Sequence, residues 1–387
     1  INAANLFLKE TLLMVKRPSK DASKAVLGRL SEEKTHWKKV RSYPENALFQ
    51  VSYVYENGAP MWMNDNTEAD EIADPRYITI PIQHAILRMP ENDYQPRRDD
   101  PRIGYFSTRV TDMTSPGVTP YRDVIHRWHL KKQKRGTPLS EPVEPIVFWI
   151  ENTTPLELRD VIRKAALQWN RAFETAGYKD ALVIKQQPDN ADWEADDIRY
   201  NVLRWTSSPN PPFGGYGPSF VNPRTGQILG ADIMLEYSYI TNRLNSSRLF
   251  EDIGLASLTT DAELGDSPHL CLAGNCAQHG VLFAKSALRL RPDSRIQMKQ
   301  MVHDALHYLT LHELGHTLGL NHNFKGSTLH TPEQIHDGAR TAKMGLYGSV
   351  MDYPPANVAP AGQKQGEFYI TTPGPYDHWA IDYGYSE

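Results

Sequence analysis

"TLHELGHTLGLNHN", residues 310–323, places His312, Glu313, His316 and His322 within eleven positions. On an α-helix His312 and His316, four apart, project from one face about one turn of rise apart, so both imidazoles can reach one metal ion. Glu313 follows His312 directly and points away from the shared ligand direction. It can sit beside a metal-bound water without binding the metal. His322 cannot reach the same ion if the helix simply continues, so the chain has to turn. Gly319 is the residue that enters the left-handed conformation at a helix end without steric cost. A helix, a turn and a third ligand follow, and three neutral imidazoles would hold zinc with one coordination position open for water.

The pattern H-E-x-x-H-x-x-G-x-x-H is complete, and "GSVMDYPP" follows at 348–355. Metzincin metallopeptidases join this extended motif to a tight turn around a methionine beneath the zinc site. The chain resembles them in His312, Glu313, His316, Gly319, His322 and Met351. "HELGHTLGLNHNFKGS" with "SVMDYPP" is similar to a sparsely characterised family of bacterial, exported zinc-dependent metallopeptidases. The resemblance extends upstream through "DDPRIGYF", 99–106, and "PIVFWIENTTP", 145–155, and so spans most of the chain.

The resemblance implies one Zn2+ per chain on His312, His316 and His322, with Glu313 as general base and Met351 as a structural floor. Tyr353, at a position where some metzincin branches carry a tyrosine that binds the resting zinc or swings away, is implied as a donor to the developing oxyanion. An exposed edge strand beside the cleft is placed by element order near 215–220, at Gly215, Tyr216 and Gly217. There an extended peptide would add as a further strand. The implied activity is that of a metalloendopeptidase acting on peptide or protein substrates, in the periplasm or outside the cell. Two alternatives stand beside it: a zinc-holding binding protein without catalysis, and a zinc amidase acting on non-protein amides. The intact Glu313 and methionine turn disfavour the first. A downstream glutamate as third ligand is disfavoured because His322 fills that place.

Composition allows this. The 387 residues suffice for two or more domains, and 40% hydrophobic with 23% charged residues describes a globular chain. A net charge of −4 gives no general attraction to nucleic acid. The basic run Lys131–Arg135 is expected to be a solvated linker. No apolar stretch approaches membrane-spanning length. The chain starts at Ile1 without a signal-like segment, and a processed or trimmed product is expected. Cys271 and Cys276, in "CLAGNC", are expected to close a small disulfide ring if the protein is exported. No cysteine precedes the catalytic region, which disfavours latency through a cysteine ligand.

The fold class expected is α+β. A strand-rich N-terminal domain, 1–140, precedes a zincin-like catalytic domain, 146–387, with a twisted mixed sheet, a zinc helix and a methionine turn. In the first, Phe49, Val51, Tyr53 and Tyr55 alternate onto one face of "LFQVSYVY", and "YITIPIQHAIL", "IGYFSTRV" and "RDVIHRW" are further strands. His84, His126 and His129 lack ligand spacing and are given structural or surface roles. "GTPLSEPVEP", 136–145, reads as a linker. Then come strand "IVFWI", a helix over 154–177 with Thr154 as N-cap and Glu157 completing a capping box, strands "ALVIKQ" and "RYNVLRW", and "GQILGADIML". An insertion at about 237–296 precedes the zinc helix, itself expected over 295–320. His303 and His307 on that helix lie about half a turn from His316 and are assigned to surface or core packing. "PYDHWAIDYGY" is a closing helix, with Trp379 and Ile381 as core anchors.

Overall fold

The alternating run at 49–55 becomes the centre of an antiparallel sheet. In the computed structural model the described residues are 2–10, 12, 27–58, 74, 76–207, 215–236, 280, 283–284, 287–288 and 294–387. A first compact unit comprises residues 1–91 and 196–198. It holds α1 (Ala3–Phe7), β1 (Arg29–Leu30), β2 (His36–Ser42), β3 (Asn46–Glu56) and β4 (Tyr77–Leu87). β3 pairs antiparallel with the other three strands. Val51, Tyr53 and Tyr55 are buried on one face, where Phe7 stacks on Phe49 with ring centroids 4.4 Å apart. The Tyr53 hydroxyl donates to the Phe7 carbonyl at 2.6 Å, fixing the helix to this small core.

The second unit comprises 92–195 and 199–387, so 92–140, grouped with the N-terminal strands by the sequence, falls in one unit with residues 310–323. Its two early strand candidates are short: β5 (Ser107–Thr108) pairs with β6 (Val124–Ile125). The stretch expected to be a linker doubles back on itself. Val143 N–H donates to the Lys131 carbonyl and Gln133 N–H to that of Glu141, at 2.8 and 2.9 Å. Ser140 is buried and donates its N–H to Gly177. These backbone bonds pin the stretch, which a free linker would leave to water.

Next in order are β7 (Ile146–Ile150), α2 (Leu156–Leu167), α3 (Trp169–Thr175), β8 (Leu182–Gln186), β9 (Asn201–Thr206), β10 (Gly215–Tyr216), β11 (Ser219–Val221), β12 (Ile228–Ala231) and β13 (Ile233–Glu236). Five of these strands form a sheet in the order β10-β13-β9-β7-β8. Its interior pairings are parallel, and β10 joins the edge antiparallel to β13. The 215–220 segment therefore divides, because β11 pairs with β12 in a separate sheet. The helix expected over 154–177 starts at Leu156 with Pro155 as N-cap and no side-chain cap. Thr154 belongs to the preceding turn, its N–H donating to Glu151 and its carbonyl accepting from Arg159 Nε. The helix breaks at Gln168, whose N–H reaches Ala165 at 3.0 Å. Trp169, opening α3, is buried and donates from Nε1 to the Leu311 carbonyl at 3.0 Å. That bond ties the pair of helices to the segment that carries His312.

α4 (Ser294–Thr317), α5 (Gly338–Met344) and α6 (Pro375–Tyr385) complete the described elements. Residues 304–320 are all buried, so the end of α4 is a central helix enclosed on every side. α2 packs on it, and α3 packs on α6. On α6 Ile381 is buried as expected, but Trp379 is 47% exposed. The inward face runs through Asp377, Ala380, Ile381, Gly384 and Tyr385, and the helical period carries Trp379 outward. The architecture is mixed α and β, strand-rich at the N-terminal end. Among the described residues no helix is long and apolar enough to cross a membrane. Cys271, Cys276 and almost all of the 237–296 insertion lie outside the described residues.

Candidate metal centre

The last turns of α4 carry His312, Glu313 and His316, and Gly319 reverses the chain. Its φ is +97°, and a Cβ there would lie 1.9 Å from the His126 carbonyl oxygen. Only glycine meets both demands. Beyond the turn Asn321 N–H donates to Gly104 at 2.9 Å, and His322 returns towards the helix. One ring nitrogen from each of His312, His316 and His322 lies within 4.8 Å of the others. Among the described residues this is the group with the geometry to hold a metal.

The second nitrogen of two of these rings is committed. His312 Nδ1 donates to the Val350 carbonyl at 2.7 Å, and His316 Nδ1 to that of Leu320 at 2.8 Å. Carbonyl acceptors fix the Nδ1–H tautomer and turn the Nε2 lone pair towards the centre. His316 Nε2 and His322 Nε2 approach to 3.1 Å. His312 Nε2 is buried without a hydrogen-bond partner among the described residues. A buried nitrogen of this kind is costly unless something else fills its coordination. Burial, then the neighbouring His316 and His322, hold the His312 imidazole well below its usual pKa. Burial brings His322 down to about 4, against an opposing pull from Asp352. Neutral imidazoles converging on one point are a donor set that fits zinc.

Around this triad stand the other expected residues. Glu313 is fully buried, and its carboxyl lies under the sheet edge. A Cβ on Gly215 would be 2.6 Å from its Oε1. Gly215 and Tyr216 form β10, while Gly217 lies just past it. The Tyr353 hydroxyl is 2.7 Å from His322 Nε2, its ring edge-on to the imidazole. Met351 is buried against α4 between the ligands. Its Sδ lies 2.3 Å from where a Gly315 side chain would begin. Asn323 N–H donates to the Met351 carbonyl at 2.9 Å, joining the third-ligand loop to the methionine turn.

Sequence reasoning missed the residue that holds that turn. Asp377, fully buried on α6, accepts from Ser349 Oγ at 2.6 Å, Val350 N–H at 2.8 Å and Gly374 N–H at 2.7 Å. A signal existed, since an acid three residues after Gly374 is a helix-start pattern, but nothing local linked it to Met351. Also missed was Phe324, exposed and stacked on His322 at 5.3 Å. His303 and His307 stay out of the cluster: His307 is buried, and the His303 side chain is about half exposed. His84 meets the Tyr53 hydroxyl, His126 the Thr108 hydroxyl and His129 the Asp93 carboxylate.

Residues 294–387 match a family model described as Met-zincin, which covers α4, the third ligand, the methionine turn and α6. Residues 1–133 match a model described as a domain of unknown function (DUF5117). No curated protein and no solved structure matches the chain. The Met-zincin match and the three-histidine cluster together support a zinc metallopeptidase.

Proposed function

We propose that the protein is a zinc-dependent endopeptidase, because residues 294–387 match a Met-zincin family model and their three histidines converge. It hydrolyses internal bonds of extended peptide or protein chains, with 146–387 as its catalytic domain, and it works outside the cytoplasm. One observation carries the reading: the carboxyl of Glu313, the residue after His312, lies directly under an edge strand.

His312, His316 and His322 would hold the ion, which supplies Lewis acidity to polarise a peptide carbonyl and acidify water. Glu313 takes the proton of the attacking water and delivers it to the leaving amide nitrogen. Its burial keeps bulk water away from that transfer. Tyr353 donates from its hydroxyl to the carbonyl oxygen as negative charge grows there. The main chain of Gly215 and Tyr216 binds the substrate as an added strand, placing the scissile bond over Glu313. Met351 forms the floor under the ligand helix and takes no chemical part.

The test is cleavage of casein and of an unbiased peptide library by the zinc-loaded chain. Internal cuts that a chelator abolishes and added zinc restores are expected, with one zinc per chain by metal analysis. A chain that binds zinc yet cuts neither substrate would overturn the peptidase assignment. Turnover of small amides alone would replace it with an amidase.

A further inference from the structure

A cavity of about 670 Å3 lies in the second unit where α6 meets the 95–98 segment. Arg97, Arg98 and Arg127 line it, Trp379 and Tyr383 give it aromatic walls, and Asp382 is the one acid in its lining. Three cations against one anion make this place basic, although the chain as a whole carries −4.

The excess charge is not neutralised from within. Arg97 donates to the carbonyls of Tyr383 and Ser386, and Arg127 to that of Gln95 at 2.7 Å; among the described residues neither bonds a carboxylate. Arg127 is 8% exposed, and its Nε has no acceptor among the described residues. Its guanidinium lies 4.9 Å over the Tyr94 ring, a weaker partner than an anion. Burial, then the nearby Arg127 charge, pushes the Arg97 pKa down. A buried charge without a counter-charge is costly, and a second like charge beside it adds to the cost. Meanwhile Trp379 leaves nearly half of a large ring in solvent at the cavity wall. Carbonyl dipoles hold these arginines in place, and an anion in the cavity would supply the counter-charge that these bonds lack.

We propose that this cavity binds a small organic oxyanion, a carboxylate or a phosphate monoester, with its planar portion resting on Trp379 and Tyr383. The guanidinium fork matches both oxyanions, and the aromatic walls favour ligands that are more than a bare ion. The site is independent of the peptidase reading, since none of its residues belongs to the metal centre.

Calorimetric titration of the full, zinc-loaded chain with benzoate and with phenyl phosphate tests it, with inorganic phosphate and benzyl alcohol as half-ligand controls. One of the two aromatic anions should bind saturably, one per chain, more tightly than either control; which one binds tells carboxylate from phosphate. Arg98→Gln should weaken that binding about fivefold and Asp382→Asn should tighten it by a similar factor, the scale of one charge near a protein surface. Trp379→Ala should weaken it as well. All three residues are exposed or half-exposed, so these variants keep the fold, as thermal unfolding verifies. An anion bound at the zinc centre would ignore Arg98 and Asp382. Absence of saturable binding at millimolar concentrations, or binding indifferent to all three substitutions, would overturn the proposal.

Discussion

Gly215→Ala is a one-carbon test of how the edge strand and the base are fitted together. The added Cβ would lie 2.6 Å from Glu313 Oε1, 2.7 Å from Cγ and 2.9 Å from Cδ. Ordinary contact begins near 3.4 Å, so the closest pair falls short by about 0.8 Å. The strand side is held by its pairing with β13, Gly215 opposite Leu235, whereas the carboxyl is the far end of a side chain with rotatable bonds. The carboxyl is therefore the part that moves, by roughly 1 Å. A misplacement of that size costs on the order of 10²-fold in rate, or about 2.7 kcal/mol of barrier. The three atoms nearest the new methyl group all belong to Glu313 and none to a histidine of the triad, so zinc should stay bound. Quenched-peptide hydrolysis with parallel metal analysis gives the answer: turnover about a hundredfold down, zinc content unchanged. Turnover within about threefold of the parent would refute the reasoning, showing that Glu313 either tolerates displacement or is not the base.

Glu313→Ala should keep one zinc and lose hydrolysis by about 10²–10⁴-fold, because the base is removed and the ligands are not; a variant within a few-fold of the parent would assign the base elsewhere. Tyr353→Phe removes only the hydroxyl near His322. Turnover should fall about tenfold with KM little changed, as for a contact made mainly in the transition state, and unchanged turnover would leave Tyr353 as packing. Asp377 supplies a pH dependence. Burial lifts its carboxyl to about 6, against its bonds from Ser349, Val350 and Gly374. With the folded value raised, its stabilising contribution is full below the unfolded value near 3.8 and is lost as pH rises through about 6. The native chain should therefore lose about 3 kcal/mol relative to Asp377→Asn between about pH 4 and pH 7. Denaturant unfolding curves that stay parallel across that range would contradict it.

What the sequence showed and what it hid divide by the distance over which each feature is decided. The ligands sit in eleven consecutive residues, and helical period plus one glycine place them; both are local, so the triad was legible. That Gly319 must turn was legible too, but the His126 carbonyl that fills its missing Cβ comes from far upstream. Strand existence followed from alternation, as in β3, whereas strand length did not. β5 and β6 keep two residues each because their neighbours bond elsewhere: Phe106 N–H goes to Gly319 and Val110 N–H to the Asp123 side chain. The expected cap at Thr154 failed since Arg159 draws its carbonyl into the preceding turn. Trp379 was misplaced because size argued for burial where helical phase argued against it.

The deeper difference concerns support rather than position. His312 donates to the Val350 carbonyl, and the N–H of the same Val350 donates to Asp377. A line of hydrogen bonds thus runs from the closing helix, through one residue of the methionine turn, to the first metal ligand. Ser349 is held twice over, donating to Asp377 while its Oγ accepts from Met351 N–H at 3.0 Å. Trp169 closes the other side, bonded to Leu311 and packed near Gly315 beside Met351. The orientation of His312, and of the helix that carries it, thus depends on residues from α3, the turn and α6, which lie more than a hundred residues apart at the extremes. An eleven-residue motif can name the ligands, but it cannot aim them. The aiming is done by buried acceptors such as Val350 O and Asp377, so a neutral imidazole with one committed nitrogen has only one way to face.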